Sequence, residues 1–186
     1  MKMNFSENNW MITFIVGILS LIAIFIPMNI AKASFIGIAS AGGYFFLFGL
    51  IYLSLKILGI IDIKNSFYLF EEIDIYPSLI SPVIIEYIIA LVALFIIILG
   101  VKQKNNSKSH NLLISAIIFG SAMIILSIVQ YILIRGILDI YITDIFGIGG
   151  YFITLKVIPH VGFYFLLFSG TALIISSIYS IYCLKK

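Results

Sequence analysis

Two apolar runs, Ser81–Val101 and Asn111–Ile134, stand on either side of Lys102–His110, nine residues without a hydrophobic side chain. Each run has the ~20 residues needed to cross ~30 Å of hydrocarbon. Only one of these spans contains an ionisable residue, Glu86. The segment between them carries Lys102, Lys104 and Lys108 and no acid. This pattern reads as a membrane hairpin whose link is held at one surface.

Two further runs have the same character. Trp10–Met28 has no charge, Trp10 suits an interface, and Pro27 marks the exit. Val161–Leu184 is the last, followed by Lys185-Lys186. Composition agrees: 62% of residues are hydrophobic and 10% charged, with mean hydropathy +1.21, against roughly 25% charged in soluble domains. A soluble fold of 186 residues could not hide that much apolar surface. The net charge of +3 sits mostly at span ends and reads as an orientation signal rather than a nucleic-acid patch. The reading is a single all-α integral membrane domain with spans over about 10–28, 81–101, 111–134 and 161–184. An Ala31-Lys32-Ala33 cleavage pattern after the first run suggests a signal peptide as the alternative. The run is long for that, and its leading charge weak.

The outer segments are then 29–80 and 135–160. In the first, two aromatic or branched pieces, Ser34–Ile38 and Tyr44–Phe48, flank Gly42-Gly43 and suit a β-hairpin turning there. A fifth helix over 38–60 is the alternative. Gly42-Gly43-Tyr44-Phe45 reappears as Gly149-Gly150-Tyr151-Phe152, so both outer segments are expected to hold turn-and-strand elements that pair above the membrane.

Lysines mark the cytoplasmic side. That places 102–110 and the C-terminus inside a cell membrane. Seven of the eight acids then fall in or beside the outer segments.

The polar residues closest to the membrane interior are Glu86, Gln130, Arg135 and His160, all toward the outer ends of their spans. A carboxylate in lipid must face the bundle and find a partner, and Gln130 or Arg135 is the natural one. The group reads either as an interhelical clamp or as a cation- or proton-binding mouth. Small residues (Ser169, Ala172, Ser176 and Ser180; Ala90, Ala93 and Gly100; Ala116 and Gly120) predict close helix contact.

Catalytic signals are sparse. His110 and His160 lie on opposite sides, no zinc or phosphate-loop spacing appears, and Glu71-Glu72-Ile73-Asp74 reads as a solvated acidic turn. Cys183, the one cysteine, excludes an intrachain disulfide and suits either palmitoylation or simple packing. No enzyme, cofactor or metal is expected. The expected partners are the lipid bilayer and another membrane protein or a second copy.

The order of elements resembles the claudin-like tetraspan proteins: span, long outer segment, span, short basic link, span, second outer segment, span, basic tail. The resemblance covers the whole chain and is one of layout. The family's outer Trp-Gly-Leu-Trp type motif with paired cysteines has no counterpart, since the only Trp is Trp10 and the only Cys is Cys183. It implies a left-handed four-helix transmembrane bundle, an outer β-layer and a role in lateral assembly. A scaffold or accessory subunit follows; a small channel or transporter subunit with a polar site around Glu86 is the alternative.

Orientation is open to a direct measurement. Single cysteines in place of Lys56, Asp74 and Lys104, in a chain with Cys183→Ser, are expected to react with an impermeant maleimide at 56 and 74 only. Labelling at 104 from outside would reverse the topology.

Overall fold

Pro27 decides where the first helix stops. A residue before proline is pushed out of the helical region, and the chain leaves α1 (Phe5–Ala23) through a tightened turn over Ile24–Ile26 to enter strand β1 (Pro27–Phe35). The computed structural model describes residues 5–35, 39–46, 76–106, 109–146 and 153–184. After β1 come β2 (Ala39–Phe46), α2 (Tyr76–Asn105), α3 (His110–Phe146), β3 (Ile153–Pro159) and α4 (Val161–Leu184).

Several of these bounds correct the sequence reading. The first helix ends at Ala23 rather than 28, for the reason just given. The second spans 76–105 rather than 81–101: Pro77 falls in the first turn, where no amide bond is lost, and Pro82 is buried within the helix. The third continues twelve residues beyond 134 to Phe146, because Ile137, Leu138, Ile140, Tyr141 and Ile142 keep supplying apolar, helix-compatible positions past Gly136. Much of 135–160 is therefore helical. Residues 39–46 are a strand, which excludes a helix beginning at 38; 47–60 lie outside the described residues, as do Glu71–Asp74 and Gly149–Phe152.

The helices form a ring. α1 packs against α2 and α4, and α3 packs against the same two. Their buried positions recur at alternating steps of three and four. In α2 these are Pro82, Glu86, Ile89, Ala93, Ile96, Gly100 and Gln103; in α3, Leu113, Ala116, Gly120, Met123, Ser127, Gln130 and Ile134. α1 follows with Asn9, Thr13, Val16, Ser20 and Ala23. A mean step of 3.5 is the period of left-handed supercoiling.

Polarity is inverted relative to a soluble bundle. The interior holds asparagine, threonine, serine, glutamine and a glutamate, while Ile118, Ile125, Ile132, Phe168 and Ile175 stand about 60–70% exposed. Among the described residues three helices (Ile84–Asn105, His110–Gly136 and Val161–Leu184) are long and apolar enough to cross a membrane, and Asn8–Ala23 is a shorter apolar helix. Such an exterior belongs in lipid: this is a multi-pass membrane protein. Three interior hydroxyls are satisfied locally, each donating to the carbonyl four residues back: Ser20 to Val16, Ser127 to Met123, Ser180 to Ser176; those of Ser169 and Ser177 have no partner among the described residues.

The helices meet where side chains are missing. A Cβ on Gly120 would lie 2.8 Å from the Gly170 carbonyl oxygen, and one on Gly170 would lie 2.7 Å from that of Gly120. Between α1 and α2, Gly17 faces Ile97 and Gly100 faces Phe14 at similar range. Gly162 brings the start of α4 against the Ile26 and Pro27 carbonyls.

One end of the ring carries an antiparallel sheet in the order β2-β1-β3. β1 pairs with β2 from Phe35↔Ala39 to Pro27↔Phe46, and with β3 from Phe35↔Ile153 to Asn29↔Pro159. The two outer segments are thus joined, through β1. The hairpin turn is not at Gly42-Gly43, which lies inside β2 opposite Lys32 and Ala31; the connection falls at 36–38, outside the described residues. The Tyr131 hydroxyl donates to the Val157 carbonyl (3.3 Å) and the His160 amide to that of Met28 (2.8 Å), fastening the sheet to the bundle.

Gly170→Ala and Gly120→Ala are expected to cost about 1–3 kcal/mol each through overpacking, read as a lower unfolding midpoint in detergent. A Cβ on Gly136 would meet nothing within 4 Å, so Gly136→Ala should leave the midpoint unchanged or slightly raised.

Candidate functional site: two buried polar layers

The buried amide and carboxylate side chains lie toward the two ends of the bundle. At the end of the α2–α3 link, α2 continues through Asn105 and α3 starts at His110. Lys102–Asn105 are therefore helical, and the loop is shorter than the nine polar residues suggest. Gln103 is 1% exposed while Lys102 and Lys104 on either side are exposed. The Thr13 hydroxyl donates to Gln103 Oε1 at 2.7 Å and lies 3.1 Å from the Asn9 carbonyl. Gln103 Nε2 donates to the Leu112 carbonyl at 3.3 Å. One amide thus ties together α1, α2 and α3. Asn9 sits beside it, 2% exposed, with no side-chain hydrogen-bond partner among the described residues. At the rim, Lys104 Nζ lies 5.2 Å from the Trp10 ring centre, within cation–π range.

At the sheet end, Glu86 and Gln130 are both completely enclosed, at 0% exposure. The Phe95–Phe119 stack, with centroids 5.8 Å apart, sets the register of α2 against α3. Glu86 lies nine residues and Gln130 eleven residues from that stack, so at about 1.5 Å per residue their depths agree to about 3 Å. On the opposite wall, Gly17 against Ile97 sets α1 against α2. The helical rise along α1 ends at Ala23, before β1 begins. Asn29, in β1, is also at 0% exposure. Gln130 and Asn29 have no side-chain partner among the described residues for either amide atom.

Of the four residues singled out from sequence, the structure brings Glu86 and Gln130 to one level of the interior. His160 is half-buried where α4 meets β1, and Arg135 is exposed further out on α3. Asn29, Asn9, Thr13 and Gln103 are site residues that the sequence reading misses. Asn29 has the look of the first residue of a solvated segment, and Gln103 of part of a solvated loop. The available signal is spacing: steps of three and four from Glu86 run through Ile89, Ala93, Ile96 and Gly100 to Gln103 and bypass both lysines.

Among the described residues no group of three or more histidine, cysteine, aspartate or glutamate side chains is placed to hold a metal. Comparison with known proteins finds no matching family model and no matching curated protein.

The Thr13–Gln103 clamp predicts a coupled pair. Thr13→Val and Gln103→Leu should each cost about 1–2 kcal/mol by stranding a buried polar group. The double variant should cost less than the sum, by about 0.6 kcal/mol or more. Strict additivity in detergent unfolding would show that the bond carries no stability.

Proposed function

We propose that this chain is a non-enzymatic, claudin-like tetraspan protein of the cell membrane, working as a scaffold or accessory subunit in lateral assembly. The link 106–109 and the C-terminus face the cytoplasm in this reading, and the sheet faces outward. One observation carries it. The central strand β1 follows the first helix, and the strand beside it, β3, precedes the last. The chain thus takes strands from each outer segment into one platform, fixed to a closed helix ring whose lipid-facing sides are apolar. A fixed platform above a sealed bundle suits contact with a neighbouring membrane protein better than turnover of a substrate. The layout of ring and outer sheet is what the claudin-like resemblance implies, and supports it.

A second reading, a small channel or transporter subunit, is favoured by Glu86 and Gln130, buried at similar depth in the bundle. It is weakened by the apolar layer of Ile96, Met123, Leu166 and Leu173 toward the middle of the bundle.

The assembly reading is tested by native mass spectrometry and cross-linking of the full chain extracted in mild detergent. Stable homo-oligomers or a stoichiometric co-purifying membrane protein are expected. A strictly monomeric, partner-free chain would overturn it. Glu86→Gln in proteoliposomes separates the second reading: a change in ion flux against a measurable wild-type flux would favour transport.

A further inference from the structure

Three contacts run up the seam between α1 and α2 toward the link. A Cβ on Gly17 would lie 2.6 Å from Ile97 Cγ1, and one on Gly100 would lie 2.8 Å from the Phe14 amide nitrogen. Beyond them Lys104 Nζ lies 5.2 Å from the centre of the Trp10 ring. Residues 10, 14 and 17 of α1, and 97, 100 and 104 of α2, are spaced by threes and fours, so each set keeps to one side of its helix. Trp10, Phe14 and Ile97 are half-buried. Met11, Ile98 and Val101, next to seam residues in sequence, are exposed. The seam is therefore apolar and open to lipid along its length, and it ends at the rim in an indole and an ammonium.

That end is fixed and positively charged. The Thr13 hydroxyl donates to Gln103 Oε1 at 2.7 Å, and Gln103 Nε2 donates to the Leu112 carbonyl at 3.3 Å, so the last turn of α2 is held from two sides. Lys102, Lys104 and His110 are exposed there. By sequence Lys108 belongs to the link, Lys2 precedes α1 and Lys185-Lys186 follow α4, against a single acid, Glu7 in the first turn of α1.

We infer that this seam binds an anionic phospholipid, with the phosphate at the Lys104–Trp10 pair and an acyl chain along Phe14 and Ile97. The ammonium supplies a positive charge and three donors, and the indole N–H supplies one more. An indole also favours the depth at which lipid phosphates lie. Charge selects the headgroup. A zwitterionic lipid brings its own ammonium into a surface that already has an excess of lysines, whereas an anionic one brings only the charge that they attract. A free anion would use the rim and leave the apolar seam without a ligand; a lipid uses both. The site depends on neither the assembly reading nor the orientation of the chain, and a chain without protein partners would still bind the lipid.

Trp10 is the only tryptophan, so its fluorescence reports on this site alone. The full-length protein is reconstituted into phosphatidylcholine vesicles holding a small fixed fraction of phosphatidylglycerol or phosphatidylcholine with brominated acyl chains, which quench indole on contact. Each signal is normalised to the same lipid without bromine. Brominated phosphatidylglycerol is expected to quench Trp10 more than the same fraction of brominated phosphatidylcholine. Lys104→Gln should lower that preference about fivefold, the loss of one lysine's contact with an anionic lipid. Lys156→Gln removes an exposed lysine in β3 at the sheet end and should keep the preference. Equal quenching by the two lipids, or an unchanged preference in Lys104→Gln, would overturn the proposal. An equal loss in Lys156→Gln would do so too, by reducing the effect to overall charge. Abolition of the preference by inorganic phosphate at constant ionic strength would make the anion alone the ligand and overturn the lipid assignment.

Discussion

Lipid removes the ordinary reason for helices to associate. Hydrocarbon tails solvate leucine and isoleucine as well as another helix does, so a bundle in a membrane is held by close packing and by polar contacts. This chain uses both. Glycines at 120 and 170 let the α3 and α4 backbones touch, and Gly17 and Gly100 do the same for α1 and α2. Larger side chains at those four positions would push the ring apart, and the sheet, whose strands enter from α1 and leave into α4, would lose its footing. The inverted polarity follows from the same constraint. Bulky aliphatics are sent outward because lipid accepts them at no cost, and serine, threonine and amide side chains are kept inward because lipid does not.

Much of this architecture is legible in the sequence. Apolar runs of about 20 residues, one of them holding Glu86, locate the four helices, and the small residues Ala93, Gly100, Ala116 and Gly120 lie on the sides that become buried. What is not legible has a common cause: composition misleads where phase decides. Lys102–His110 contains no hydrophobic residue, and so resembles a solvent-facing loop. Yet helix α2 carries on into it and turns Gln103 inward and its lysine neighbours outward. Residues 135–146 contain charges and a glycine, and so resemble a break. Yet the helix carries on, because nothing in that stretch forbids it. The glycine pair at 42–43 resembles a turn because such pairs often are. In a strand beside β1 it serves instead as a place without side chains.

The two polar layers divide the labour of the interior. Near the link, the amide of Gln103 uses both its ends, one toward Thr13 and one toward Leu112, and closes three helices with a single side chain. Toward the sheet, the buried amides of Gln130 and Asn29 have no partner among the described residues, and Glu86 is the only carboxylate buried in the described interior. In the first layer Gln103 is fully engaged and Asn9 beside it is not; in the second neither amide has a partner among the described residues. Between them lies an apolar zone of isoleucine, methionine and leucine that separates one end from the other.

The strand order has a consequence in time. β1 and β2 are made early and adjacent, but β3 comes long after them, beyond α2 and α3. At the ~5–20 residues per second of synthesis, the second edge of β1 is without its partner strand for on the order of ten seconds, while α2 and α3 are still being threaded into the bilayer. An unpaired edge is a template for any extended segment nearby. The final helix therefore does more than close the ring: its insertion draws β3 against β1 and ends the period in which this nascent chain is open to strand exchange with its neighbours.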